Sequence, residues 1–236
     1  MSPVIWERKV IMSSIGFRIS TDFQRPDRSL VEGFRGLPVA NIADCLNRLA
    51  AINAGLRPYN KATLLGSALT VRVPGGDNLM FYKAIELARP GDVLVIAAGG
   101  ALDRALCGEI MVSYARARGL VGFVIDGCIR DSEIIAGLDF PVYAKGLSPN
   151  GPYKNGPGEI GFPVAIGGQV VCSGDILVGD PDGLLAVKPA EAAGLIEEVK
   201  AVAAKEEKML DDIEAGLGLN LAWMEQALAA KGCQSI

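Results

Sequence analysis

The run Leu120-Val121-Gly122-Phe123-Val124-Ile125 is the feature that most constrains the fold. No polar side chain interrupts it, so a strand built from it needs cover on both faces. Strands of that kind belong to sheets with packing layers on each side. The run is expected to break at Asp126-Gly127, after which Arg130-Asp131 opens a short helix. Ligand sites in α/β sheets lie beyond the carboxyl ends of strands, which makes this pair of opposite charges a candidate site. The pair also reads as a salt bridge or a helix cap.

The surrounding chain alternates strand and helix signals. Residues 1–25 are read as an N-terminal arm, followed by a short helix at 29–34. The next helix begins after Pro38, with Asn41 as its N-cap and Ile42, Leu46 and Leu49 on one face. A strand at 64–73 leads through Gly75-Gly76-Asp77-Asn78 into a helix at 79–88, capped by Asp77 or Asn78. A strand at 93–98 ends in Gly99-Gly100. Gly108-Glu109 then starts a helix reaching Arg118, with Gly119 in the C′ position. Backbone N–H groups at Gly108, Glu109, Ile110 and Met111 would point out of that helix start, a natural seat for a carboxylate. A helix at 132–138 and a strand at 140–144 follow.

Residues 146–188 are rich in Gly and Pro and carry short strands at 162–166, 169–171, 176–179 and 183–187. Pro189 opens the longest helix, to about 216, with the stripe Leu195, Val199, Val202, Leu210 and Ile213. Glu206 falls on that stripe, so its carboxylate is either at a wet edge or partnered. The tail at 217–236 reads as a second amphipathic helix with Leu221, Trp223, Met224 and Leu228 on one side. The fold class expected is α/β, in one domain spanning 1–236.

Composition narrows the chemistry. The 236 residues contain no histidine, which removes the commonest general base and transition-metal ligand. Any metal must be held by oxygen, pointing to Mg²⁺ or Mn²⁺. A net charge of −4 without a basic run argues against a nucleic-acid partner. Five scattered cysteines, never in a CxxC spacing, fit a reducing compartment. No apolar stretch reaches spanning length, and charges stand where a signal core would be. The expectation is a cytoplasmic protein with no membrane contact. Neither a dinucleotide fingerprint nor a P-loop is present.

The stretch from Gly99 to Ala144, followed by GPYKNGPGEI and VGDPDGLLAVKP, resembles the RraA-like family over roughly residues 35–216. That family includes 4-hydroxy-4-methyl-2-oxoglutarate / 4-carboxy-4-hydroxy-2-oxoadipate aldolases and the regulator of ribonuclease E activity. Its motif is an acidic residue, twenty residues, then Arg-Asp; Glu109 and Arg130-Asp131 have that spacing. The family's usual form has Asp at the first position and Gly four residues earlier, where this chain has Glu109 and Ala105.

The resemblance implies a swivelling β/β/α domain with a long C-terminal helix. It also implies a metal-dependent lyase that releases pyruvate from 4-hydroxy-2-oxo diacids and decarboxylates oxaloacetate. Carried over, Asp131 ligates Mg²⁺ (or Mn²⁺), Glu109 holds it through water, and Arg130 grips the 2-oxo-acid carboxylate. Backbone amides from Gly108 to Met111 complete the pocket, and Glu206 from a neighbouring subunit approaches the metal in a homotrimer or homohexamer. Glu207 competes for that last role. Chemistry agrees independently: a pyruvate enolate needs a cation at its oxygens, and a planar guanidinium suits a carboxylate.

Three other readings compete. One is a non-catalytic regulator binding ribonuclease E. Another is a Schiff-base aldolase using Lys145 or Lys154, which sit in or beside a polar loop without the burial that activates a lysine. A methyltransferase lacks its glycine-rich nucleotide loop here. For the non-pyruvate half of a substrate, Arg72, Asn78, Lys145 and Lys154 are the candidates.

Overall fold

The computed structural model describes residues 14–234. Strand β1 (Phe17–Ile19) and helices α1 (Arg28–Glu32) and α2 (Val39–Cys45) precede the short β2 (Arg57–Pro58). Strands and helices then alternate: β3 (Leu64–Arg72), α3 (Leu79–Leu87), β4 (Asp92–Cys107), α4 (Glu109–Ala117), β5 (Gly122–Ile129), α5 (Ser132–Ala136) and β6 (Val142–Leu147). Five short strands follow: β7 (Gly158–Ile160), β8 (Val164–Ile166), β9 (Gln169–Val171), β10 (Ile176–Asp180) and β11 (Gly183–Val187). Helices α6 (Pro189–Glu214) and α7 (Ala222–Ala230) complete the described chain.

Strands β3, β4, β5 and β6 pair in parallel, in that order, at the centre of a nine-stranded sheet. Parallel pairing fits the crossover helices between them. Alternation along these strands feeds two cores. Leu94, Ile96, Phe123 and Ile125 face α3 and α4, whereas Val93, Val95, Val124 and Tyr143 face the β8–β9 side. Every residue of β5 is buried, as its apolar run requires. Phe123 lies edge-on between Phe81 and Phe140, with ring centroids 5.0 Å apart in both pairs. A third cluster joins Phe34, Ile42, Ile176, Leu185, Leu195 and Val199, seating α2 and the first half of α6 on the β10–β11 hairpin.

Several expectations need correction. Strand β5 does not break at Asp126-Gly127 but runs on to Ile129. Lys145 on β6 meets the Asp126 carboxylate at 2.7 Å, so the charge inside the strand is neutralised across the sheet. Strand β4 continues past Gly99-Gly100 to Cys107, its pairing with β5 shifting register three times. Asn41 is not an N-cap: it lies inside α2, buried. Leu49, assigned to the apolar face, is 76% exposed. The 132–138 helix is shorter, and the strand after it begins at Val142.

Strands β1, β2 and β7 were not foreseen, being at most three residues long. Of the expected N-terminal arm, residues 1–13 lie outside the described part. Phe17–Ile19 forms an edge strand on β7, anchored where Glu159 accepts hydrogen bonds from Gly16 N (2.9 Å) and Arg18 Nε (2.7 Å). On α6 the apolar stripe is half used: Leu195 and Val199 are buried, but Leu210 and Ile213 are exposed. Helix α7 buries nothing. Among the described residues no helix is long and apolar enough to cross a membrane.

Candidate active site

The parallel register decides what meets at the sheet's carboxyl edge. Cys107 at the end of β4 pairs with Ile129 at the end of β5, and Arg130 N–H donates to Cys107 O at 3.0 Å. The next residues on each strand are therefore side by side: Gly108 and Glu109 on one, Arg130 and Asp131 on the other. Two segments twenty residues apart in sequence form one cleft for this reason.

Asp131 stands in the left-handed backbone region (φ 57°, ψ 37°), an uncommon place for a residue with a side chain. This turns its carboxylate towards the start of α4, where Oδ2 accepts the Glu109 N–H at 3.0 Å. Of the amides expected to receive a carboxylate, that of Glu109 is thus engaged within the chain. Those of Ile110 and Met111 remain in the first helical turn, which has no intrahelical acceptors. Glycine at position 108 follows from the packing. Its φ of −149° would suit any residue, but a Cβ there would overlap Asp131 Oδ2 and press on Arg130 Cγ.

Arg130 Nε lies 3.7 Å from Asp131 Oδ2, near enough for attraction and too far for a hydrogen bond. With side chains 43% and 38% exposed, both retain open surface for a ligand. The cleft they share is small, about 70 Å³, and is lined also by Asn78, Tyr82, Ile110, Met111, Pro152 and Lys154. A small polar molecule fits it better than a nucleotide cofactor. Below it, burial first and the Asp131 charge second push the Cys107 thiol far above its ordinary range, so that sulfur is a packed wall.

Asn78 and Lys154, two of the candidates for a substrate's second half, line the cleft. Asn78 is 2% exposed; its Nδ2 donates to Leu106 O at 2.9 Å, and its Oδ1 has no hydrogen-bond partner among the described residues. Arg72 and Lys145 are elsewhere, engaged in ion pairs with Glu159 and Asp126. Glu206 does not line the cleft of its own chain: its Oε2 accepts a hydrogen bond from Asn41 Nδ2 at 2.7 Å. Tyr82 and Pro152 escaped sequence reasoning, because neither carries a motif and both arrive through long-range packing.

The donor set fits a hard divalent cation. Mg²⁺ takes oxygen ligands and keeps most of its waters, needing only one or two protein carboxylates. Asp131 supplies one at the cleft; Glu109 begins α4 beside it, but its side chain is not among the residues lining the cleft. Among the described residues no cluster of three or more potential metal ligands occurs.

A family model described as RraA-like (Aldolase/RraA) matches residues 39–186. A protein of Halalkalibacterium halodurans named "Putative 4-hydroxy-4-methyl-2-oxoglutarate aldolase" is 36% identical over 175 residues, covering 74% of this chain and 83% of the relative. Among solved structures, a protein from Pseudomonas syringae pv. tomato superposes with a TM-score of 0.73 at 24% identity, over 82% of this chain and 96% of the other. The RNA-processing inhibitor RraA from Thermus thermophilis superposes at 0.58 with 29% identity, over 64% and 92% of the two chains.

Proposed function

The chain belongs to the RraA-like family, and from that membership we propose a divalent-metal-dependent lyase that releases pyruvate. The proposed substrates are 4-hydroxy-2-oxo diacids such as 4-hydroxy-4-methyl-2-oxoglutarate or 4-carboxy-4-hydroxy-2-oxoadipate, cleaved to pyruvate and a second oxo acid. Oxaloacetate decarboxylation would share the site, since both reactions pass through the same enolate. The observation that carries the reading is that Arg130 and Asp131, at the end of β5, stand beside the start of α4, where Asp131 accepts the Glu109 N–H.

In this reading Asp131 and, through water, Glu109 hold Mg²⁺ (or Mn²⁺). When bound, the ion supplies positive charge beside the oxygens on which the enolate charge develops. Arg130 grips the 2-oxo-acid carboxylate with its planar fork, and the amides of Ile110 and Met111 add neutral donors. Lys154 faces the substrate's second acidic group. Without a histidine, the proton leaving the 4-hydroxyl passes to water held at the Glu109 carboxylate. Buried Met111 and Cys107 keep bulk water from the floor.

The chain is further proposed to assemble as a homotrimer or homohexamer, bringing Glu206 of one subunit to the next subunit's cleft. The exposed Met209, Leu210 and Ile213 on the same half of α6 support such an assembly.

The test is pyruvate release from both diacids and from oxaloacetate, with Mg²⁺ or Mn²⁺ and again after EDTA. Metal-dependent release is expected. No release from any of the three with either metal would leave the second reading, a non-catalytic regulator that binds ribonuclease E, which the likeness to the Thermus RNA-processing inhibitor favours.

A further inference from the structure

Asp77 does more than cap a helix. Its side chain is buried, 4% exposed, and its two oxygens serve different elements. Oδ1 accepts the Leu79 N–H at 3.0 Å and so starts α3, which carries Tyr82 to the cleft. Oδ2 accepts the N–H groups of Asn155 (2.6 Å) and Gly156 (3.0 Å), far along the chain. Those residues belong to the segment 150–157, which crosses the carboxyl edge of the sheet as a strap.

The strap has other fastenings, before Lys154 and where it enters β7. Asn150 O accepts from Ala105 N (2.9 Å), and Gly151 O from Arg104 Nη1 (3.0 Å). Tyr153 exchanges backbone bonds with Gly76 and Asn78, and Arg104 stacks on its ring at 4.2 Å. Beyond Lys154, Asp77 accepts from Asn155 and Gly156 before the chain enters β7, where Gly158 N–H donates to Gly16 O at 2.8 Å. Lys154 stands between the two sets, and its strap also packs beside Arg130, whose Nη1 would lie 3.4 Å from a Cβ on Gly151.

We infer that Asp77 is a positioning residue for substrate selection: its carboxylate sets where the Lys154 ammonium stands relative to the Arg130 guanidinium. A lysine is a point charge on a flexible stem, so its selectivity depends on where the backbone beneath it is fixed. Two cations held at one separation distinguish a dianion with matching carboxylates from a monoanion such as pyruvate. The inference rests on the reading of the cleft as a diacid site.

The test uses the full-length metal-loaded enzyme with Asp77→Ser, Asp77→Asn and Lys154→Met. Serine keeps an acceptor for the Leu79 N–H, as Ser and Asp share that turn, but is too short for the strap. KM for the diacid is expected to rise about tenfold in Asp77→Ser, the loss of roughly one charged hydrogen bond. The kcat should stay within about threefold, and Mg²⁺-dependent exchange of the pyruvate methyl protons should not change. If Asp77 acts through Lys154, the double variant Asp77→Ser/Lys154→Met is no worse than Lys154→Met alone. Hydrogen exchange at Asn155 and Gly156, read without substrate, should quicken in both Asp77 variants.

A wild-type KM in both Asp77 variants would overturn the inference. So would effects of Asp77→Ser and Lys154→Met that multiply in the double variant. If the wild-type chain releases no pyruvate from any diacid, it is the functional reading that fails. Slow exchange at Asn155 and Gly156 that persists in the variants would then separately dismiss Asp77 as the fastening.

Discussion

The carboxylate of Asp131 accepts the backbone N–H of Glu109 at 3.0 Å, across 22 residues of sequence. One acidic residue thereby caps the helix that the other begins, and both are held at the same edge of the sheet. The left-handed backbone of Asp131 costs about 1–2 kcal/mol. The amide bond and the Arg130 charge nearby offset it.

Gly108→Ala tests that arrangement with a single methyl group. The backbone at Gly108 accepts alanine, but the new Cβ collides with the Asp131 carboxylate. Turnover should fall by about a hundredfold, the usual consequence of displacing a reacting group by 1 Å. Circular dichroism should stay unchanged. An alanine variant within twofold of wild type would show that Asp131 need not hold this position.

Arg130→Ala should lower diacid cleavage and oxaloacetate decarboxylation together, by about 10²–10³-fold, as loss of one charge-stabilising donor does. Arg130→Lys should recover only part, because an ammonium cannot make the two-point contact. Steady-state rates on both substrates check this. Loss of one activity with retention of the other would separate the two reactions.

Acid should loosen the N-terminal edge strand through Glu159. Burial works to raise its pKa, but the Gly16 N–H and the guanidinium groups of Arg18 and Arg72 outweigh it and hold the carboxyl below its ordinary 4.5. A depressed folded-state pKa means the contribution is complete above about pH 4.5 and fades as pH falls through the lowered value. Glu159→Gln should therefore melt earlier than wild type at pH 7, with the gap closing below pH 4.5. A gap that does not narrow in acid would contradict the assignment.

Thiol labelling probes the floor of the cleft. Cys233 is exposed and should react with an alkylating reagent at pH 8 in the folded protein. Cys107, buried and with its thiol pushed far above the ordinary range, should react only on unfolding. Peptide mapping by mass spectrometry distinguishes them. Early modification of Cys107 would mean that the cleft opens to solvent.

Much of the architecture was legible because its signals are local. The apolar run at Leu120–Ile125, the helix starts at Leu79 and Glu109 and the Pro189 helix are each signalled locally, and the structure follows them to within a few residues. The pair Arg130-Asp131 and the spacing to Glu109 could be read as a site because the motif itself is linear. The failures have a common cause. Asp126-Gly127 looks like a break until Lys145, on another strand, supplies the opposite charge. Asn41 looks like a cap until Glu206, on the last long helix of the sheet-packed core, receives its amide. Asp77 looks like a cap until its second oxygen meets Asn155 and Gly156.

By itself, then, the sequence determined the α/β class, the absence of histidine chemistry and the candidacy of the charged pair, all written in composition, period and spacing. Tertiary structure alone decided which distant groups complete that pair. It set Asp131 against Glu109, brought Tyr82, Pro152 and Lys154 to the cleft, and took Arg72 and Lys145 away from it. The reason is physical: a charge in a strand or loop is satisfied by whatever the fold carries to it, and which distant strands become neighbours is not written in the local pattern around that charge.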